Sequence, residues 1–419
     1  MTSMLDRRTF LRFGTAGGVS LVISAAVGAA PSTARAARDT AASKVYVLVV
    51  DGCRPDEIGG GLMPRLKALR DSGMNFPSAE SLPVMETIPN HVMMMTGVRP
   101  DRSGVPANAV YDRNEGAVRD LDRASDLSFP TVIERLNGRG LTTGTVLSKE
   151  YLFGIFGTRA TYRWEPEPTM PVTGHAPDAF TMDAALTMVE ELDPDLLFVN
   201  LGDCDRVGHG DLTGTTLQAA RSAALADADT QVGRFVDMLK SSGRWPSSVL
   251  IVLADHSMDW SLPDRLISLQ SILDADPQLE GKVTIAQNGG ADLLYWTGTD
   301  TGRAAAVARM RELVAAVPGV LSVHDPAELR LGARAGDLVA YCRSGYRFSD
   351  PAQYSNPIPG NHGHPATKPI PFFISGGHSL VQSGTSSTAQ ARTIDVAPTV
   401  GRVFGLGDPE GGYDGTARL

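Results

Sequence analysis

The chain's hydrophobic pattern first becomes clear at Lys44 to Val50, a nearly continuous β-branched run that stops at Asp51. A strand without polar alternation is buried on both faces, as in a parallel sheet. Met63-Pro64 to Ser72-Gly73 then reads as a helix, with proline at its start and glycine at its end. The alternation continues with a helix after Pro130, a strand from Leu141 to Leu147 and a helix from about Met182 to Leu192. It goes on with a strand from Leu196 to Leu201, a long helix from about Thr216 to Ser241 and a strand from Ser248 to Ala254. Strands separated by helices of this length predict an α/β protein: a doubly wound, mostly parallel sheet sandwiched by helices. From about residue 260 to 359 the pattern loosens into shorter elements, Ala291 to Trp296, Arg303 to Val317, Val320 to His324 and Asp337 to Arg343. This stretch is expected to be a small inserted α/β cap. A strand from Pro371 to Ser375 and a helix from about Thr393 to Phe404 close the pattern.

Length and charge narrow the class. At 419 residues the chain can bury a large core, and 47 acidic against 38 basic residues give a net charge of −9. That balance argues against a nucleic-acid coat, because phosphate-backbone affinity comes from clustered Lys and Arg. Three cysteines, Cys53, Cys204 and Cys342, cannot build a disulfide scaffold. The N-terminus sets the expected compartment. Arg7-Arg8-Thr9-Phe10-Leu11-Arg12 precedes a small and apolar stretch from Phe13 to about Ala30, and Ala34-Arg35-Ala36 follows. A charged region, an apolar region and a small-x-small site read as a cleavable export signal, and the paired arginines point to the twin-arginine machinery. The expectation is a twin-arginine signal peptide over residues 1–36. A catalytic domain over 37–419 would be exported to the extracellular space, periplasm or cell wall. The mature chain would then carry about −12, because residues 1–36 hold four arginines against Asp6.

Chemistry-bearing residues cluster just beyond the C-terminal ends of expected strands, where open α/β sheets place their sites. Asp51 ends the first strand. Asp205 and His209 follow the strand ending at Leu201 at i, i+4 spacing. Asp255-His256 follow the strand ending at Ala254, and Gly360-Asn361-His362-Gly363-His364 lies in a Gly/Pro-rich loop before the last strand. Carboxylates with imidazoles, and no Cys-x-x-Cys spacing, suit Zn²⁺ or another divalent transition metal in a hydrolytic site. Thr87, in Met85-Glu86-Thr87-Ile88-Pro89-Asn90-His91, sits one residue ahead of an expected helix start, where backbone N–H groups favour developing negative charge. A helix-capping threonine would look the same in sequence.

Asp51, Thr87-x-Pro-Asn-His91, Asp205-x-x-Gly-His209, Asp255-His256 and the Gly-x-His362-Gly run occur in the order found in the alkaline phosphatase superfamily. The closest resemblance is to its nucleotide pyrophosphatase/phosphodiesterase (type I phosphodiesterase) branch, over about Lys44 to Leu406. The resemblance implies two zinc sites, one held by Asp205, His209 and His362, the other by Asp51, Asp255, His256 and the Thr87 oxygen. It implies Thr87 as nucleophile, a phospho-threonine intermediate and a small-molecule phosphodiester substrate. Asn108, 21 residues beyond Thr87, stands at the family's spacing for an amide that contacts a phosphoryl oxygen. Two ions roughly 4 Å apart would clamp the attacking and leaving oxygens of an in-line displacement. His91 is not expected to bind metal, and His364 is a candidate for substrate or ligand support.

The substrate side departs from one branch. Ser148-Lys149-Glu150-Tyr151 resembles the place where phosphonoacetate hydrolases carry two lysines. Here Lys149 is present and Tyr151 stands at the second position. Lys149 and Tyr151 are therefore expected substrate contacts, with Phe153 and Phe156 as further members of an aromatic wall. The pattern favours a diester, with a phosphonoacetate hydrolase-like or phosphomonoesterase activity on the same core as the alternative.

Overall fold

The computed structural model describes residues 43–419, apart from 168–173, 212–217 and 351–358. The proposed signal segment, Met1 to Ala36, lies outside the described residues, as does Thr216 at the expected start of the long helix. Among the described residues no helix is long and apolar enough to cross a membrane.

The apolar runs become the centre of an eight-stranded sheet. Its order across the molecule is Thr385–Ser386, Met74–Asn75, Phe372–Ser375, Ser248–Leu253, Lys44–Val50, Leu196–Leu201, Thr143–Leu147 and Tyr162–Trp164. The five strands from Ser248–Leu253 to Tyr162–Trp164 run parallel. Phe372–Ser375 pairs antiparallel with Ser248–Leu253, so the closing strand does not continue the parallel set. Lys44–Val50 is central: Val49 pairs with Asn200 on one side and Leu253 on the other. All its residues after Lys44 are buried, because helices cover both faces. Those helices include Pro64–Ser72, Val132–Asn137, Asp178–Leu192, Ala219–Ser241 and Val396–Val403. This is the expected mostly parallel α/β architecture.

The looser stretch folds into a second, antiparallel sheet of four strands, ordered Val283–Asn288, Ala291–Trp296, Leu338–Cys342 and Val320–His324. The helix Arg303–Ala315 packs on it. Leu273, Leu294, Trp296, Met310 and Leu338 belong to an apolar core separate from that of the large sheet. Val283–Asn288 escaped the sequence pattern because its alternation is broken by Ala286 and by polar Gln287 and Asn288.

Candidate active site

The parallel strands deliver their acidic residues to one edge. Asp51 follows Val50 directly, and Asp255 lies two residues past Leu253. Asp205 and His209 come from the helix Asp203–Gly210, which begins just after Leu201, so one turn of helix puts both on one face. His362 arrives from the loop before Phe372–Ser375. Thr87 opens a wholly buried helix, Thr87–Thr96. Its position differs from the expected one by a residue: Glu86 is the cap, and Thr87 already has helical backbone, leaving its hydroxyl free of capping duty.

Each of the three carboxylates has one oxygen anchored and the other without a hydrogen-bond partner. Asp51 Oδ2 accepts from Asn200 Nδ2 at 2.7 Å and lies 2.8 Å from Lys149 Nζ, leaving Oδ1 bare. Asp205 Oδ2 accepts from Lys149 Nζ at 2.8 Å, and its Oδ1 is bare. Asp255 Oδ1 accepts from the backbone N–H groups of Gly52 at 3.1 Å and His256 at 3.0 Å, and its Oδ2 is bare.

The bare oxygens face imidazoles. His209 Nε2 is 3.2 Å and His362 Nε2 3.7 Å from Asp205 Oδ1. His256 Nε2 is 3.4 Å from Asp255 Oδ2, 3.7 Å from Asp51 Oδ1 and 3.2 Å from Thr87 Oγ1. The other ring nitrogens fix the tautomers. His209 Nδ1 donates to Gly360 O at 2.8 Å and His256 Nδ1 to Ser257 O at 2.9 Å. A carbonyl can only accept, so in the neutral ring the lone pair lies on Nε2, the nitrogen that faces the carboxylates and the form in which histidine binds metal.

Three buried carboxylates meet one buried cation, Lys149. The shortfall of positive charge shows in Asp51, whose carboxyl is pushed up to about 7 by burial and by the charge of Asp255, against the opposing pull of Lys149. Buried charge without a counter-charge is costly. Oxygen and imidazole donors aimed at one another across that deficit fit divalent cations of the zinc type.

Two compact triads satisfy a ligand geometry, with donor atoms mutually within 4.8 Å: Asp205, His256 and His362, and Asp51, His91 and Asp255. The division expected from sequence instead pairs His209 with the first set and gives His256 to the second. His256 lies between the two, its ring stacked 3.8 Å from that of His362. His91 has both nitrogens engaged, Nδ1 donating to Thr87 O at 2.8 Å and Nε2 accepting from Asn200 Nδ2 at 3.0 Å. Burial holds it neutral, lowering its pKa to about 4.

The remaining expected residues separate into those at the site and those away from it. Asn108 Oδ1 accepts from Ile88 N at 2.8 Å, which fixes the amide orientation, and among the described residues its Nδ2 donates to nothing. Lys149, fully buried, reaches within 3.4 Å of Thr87 Oγ1. The aromatic wall reduces to Tyr151, whose ring centroid is 5.8 Å from Lys149 Nζ. Phe156 packs edge-on against Phe198 in the core, and Phe153 sits under Arg163. His364 is tied to Asp259 at 2.9 Å. Cys53 and Cys204 are buried free thiols, and burial raises both.

Three residues of the site carried no signal recognised in the sequence. Glu86 is buried, its carboxyl pushed well above the usual range by burial, and Oε2 accepts from Asn108 N at 2.8 Å. Asn200 connects Asp51 to His91. Arg221 is fully buried and donates to Gly52 O and Cys204 O, both at 2.7 Å, joining the loops that carry Asp51 and Asp205. An arginine inside an otherwise small-residue helix face was the available clue to the last.

Residues 45–365 match the model of the type I phosphodiesterase / nucleotide pyrophosphatase family. The chain belongs to that family. Among its relatives, human ectonucleotide pyrophosphatase/phosphodiesterase family member 5 is 25% identical over 244 residues, 56% of this chain and 48% of the relative. The chain spans about half the length of the first curated relatives it matches. The murine member 5, solved as an inactive variant in complex with AMP, superposes with a TM-score of 0.72 at 17% identity, covering 87% of this chain and 96% of that one. Phosphonoacetate hydrolase from Sinorhizobium meliloti 1021, in complex with phosphonoformate, superposes with a TM-score of 0.67 at 18% identity, covering 87% and 96%. At these identities the superpositions establish a shared fold, and the family match identifies the branch.

Proposed function

We propose that this family member is an exported, metal-dependent phosphodiesterase of the nucleotide pyrophosphatase kind, acting through Thr87. The observation that carries the reading is the set of three anchored carboxylates, each with a bare oxygen turned toward an imidazole Nε2, with His256 Nε2 3.2 Å from Thr87 Oγ1. Thr87 attacks phosphorus in line: its hydroxyl gives up its proton, its oxygen forms the new P–O bond, and the ester P–O bond breaks to release the leaving alcohol once the departing oxygen takes up a proton, leaving phospho-threonine. Water then cleaves that ester and regenerates the hydroxyl. Asn108 Nδ2 and the Thr87 N–H, which has no acceptor within its own helix, are disposed to hold the non-bridging oxygens where charge accumulates. Lys149 supplies a fixed positive charge beside the nucleophile.

Two Zn²⁺ or similar ions, held by Asp205, His209 and His362 on one side and by Asp51, Asp255, His256 and Thr87 on the other, would lower the hydroxyl pKa and neutralise the leaving oxygen. The export route rests on the Arg7-Arg8 signal over residues 1–36, which would be removed from the catalytic domain at 37–419, with 260–359 as its inserted cap. A small-molecule phosphodiester is the substrate class. The presence of Lys149 beside Thr87 also supports phosphonoacetate hydrolase-like or phosphomonoesterase turnover on the same core, as a second reading.

The test is Thr87→Ala assayed on bis(4-nitrophenyl) phosphate. Turnover should fall by about 10³-fold or more while bound metal stays near about two ions per chain, since the other ligands remain. Undiminished hydrolysis would sink the threonine mechanism. Comparing kcat/KM for a diester, a monoester and phosphonoacetate on one preparation chooses between the two readings.

A further inference from the structure

Near Lys149 lies a second cation that the proposed reaction does not use. Arg206 follows Asp205 on the helix Asp203–Gly210, and its guanidinium carbon sits 5.5 Å from the Tyr151 ring centroid. Lys149 Nζ lies 5.8 Å from the same ring. The two cations are not equivalent. The Lys149 charge is committed, within 2.8 Å of both Asp51 Oδ2 and Asp205 Oδ2. Arg206 is half-buried, its Nε is shut from solvent without a hydrogen-bond partner, and among the described residues no carboxylate lies within ion-pair distance of it, Asp205, Asp51 and Asp120 acting on it only at longer range. An arginine resting on an aromatic face with its donors unspent presents a planar fork suited to phosphate or carboxylate oxygens. Leaving a donor buried and unpaired costs free energy, so a site that keeps one gains when an anion arrives.

Resting on the hydrolase reading above, we infer that Arg206 is a specificity-determining residue. It receives a second anionic group, phosphate or carboxylate, carried by the substrate near the scissile phosphorus, with Tyr151 as the platform that orients the guanidinium. Phosphoanhydrides and short carboxylated phosphonates meet this description; diesters with only neutral substituents do not.

The experiment compares Arg206→Gln and Arg206→Lys with the parent protein on three substrates: ATP, phosphonoacetate and bis(4-nitrophenyl) phosphate. The readout is each kcat/KM relative to that of the neutral-substituent ester. Arg206→Gln should lower the ratio for ATP, phosphonoacetate or both by about 10- to 100-fold, the scale of a charge-assisted hydrogen bond. Arg206→Lys should recover part of it. A fall confined to ATP identifies a phosphate as the received group, and one confined to phosphonoacetate a carboxylate. Unchanged ratios, or an equal loss on all three substrates, overturn the inference. Calorimetric binding of α,β-methylene-ADP gives a readout independent of turnover. If the parent protein hydrolyses none of the three, the hydrolase reading fails. A Kd then weakened about tenfold or more by Arg206→Gln still upholds the anion site, and an unchanged Kd removes it.

Discussion

Replacing Arg221 by methionine tests whether the geometry of the site depends on a buried brace behind the loops that carry Asp51 and Asp205. Methionine has similar reach and no charge, so the helix Ala219–Ser241 keeps its packing. Contacts to three residues disappear. The guanidinium forks onto Glu57, with Nε at 2.7 Å and Nη2 at 2.8 Å from its carboxylate oxygens. Nη2 and Nη1 also donate to Gly52 O and Cys204 O. The side chains of Arg221 and Glu57 are 0% and 10% exposed, so Glu57 keeps the hydrogen bond from Arg54 N but loses its buried counter-charge. Removing one member of such a pair costs about 3–5 kcal/mol. An unfolding entropy of roughly 2.1 cal/mol/K per residue, over the roughly 360 described residues, converts the midpoint of that range to a fall of about 5 °C in Tm.

A double variant, Glu57→Gln with Arg221→Met, removes the stranded charge and should recover about half of the loss, giving a non-additive cycle. Gly52 and Cys204 adjoin Asp51 and Asp205, so Arg221→Met should also weaken metal retention by about tenfold, the size of effect seen when support behind a ligand is removed. Scanning calorimetry and metal content after dialysis read the two consequences. A Tm within about 1 °C of the parent together with full metal retention would refute the brace.

Two further outcomes follow from the same structure. Asn108→Ala should lower kcat on a diester by about 10²- to 10³-fold with bound metal unchanged, because the lost donor faces charge that develops only during reaction; steady-state kinetics alongside metal analysis checks it. Asp126 accepts from Arg119 at 2.7 and 3.0 Å and from Arg334 at 2.9 Å; burial pushes its carboxyl up, but these hydrogen bonds outweigh burial and hold it below the usual range. A carboxyl lowered in the folded state stabilises above its unfolded pKa of about 3.9, and that contribution fades as pH falls through the lower folded value. Asp126→Asn should therefore cost about 2 kcal/mol, or about 3 °C, at pH 7, and its melting curve should converge on the parent's as pH drops below about 4.

Much of this molecule was legible in one dimension because its signals are local. Lys44–Val50, Leu196–Leu201 and Ser248–Leu253 are runs whose composition already demands burial on both faces, and each ends within a few residues of an acidic ligand candidate. Asp205 and His209 share a helical face by spacing alone. The ordered recurrence of these motifs pointed to the family to which the chain belongs.

What spacing could not encode is which atoms meet across the sheet. Glu86, Asn200 and Arg221 act through contacts spanning 22, 149 and 169 residues, to Asn108 N, Asp51 Oδ2 and Gly52 O. Glu86 and Asn200 give no period or motif that would mark them, and Arg221 offers only the oddity of an arginine on a small-residue helix face. The same holds for the choice among aromatics, since Tyr151, Phe153 and Phe156 are interchangeable in sequence until packing sends one toward Lys149 and another into the core. Sequence alone determined the five central strands of the sheet, the edge on which the chemistry gathers and the kinds of donor it uses. Tertiary structure decided which oxygen of each carboxylate is anchored and which is bare, because that depends on partners brought together only when distant strands align.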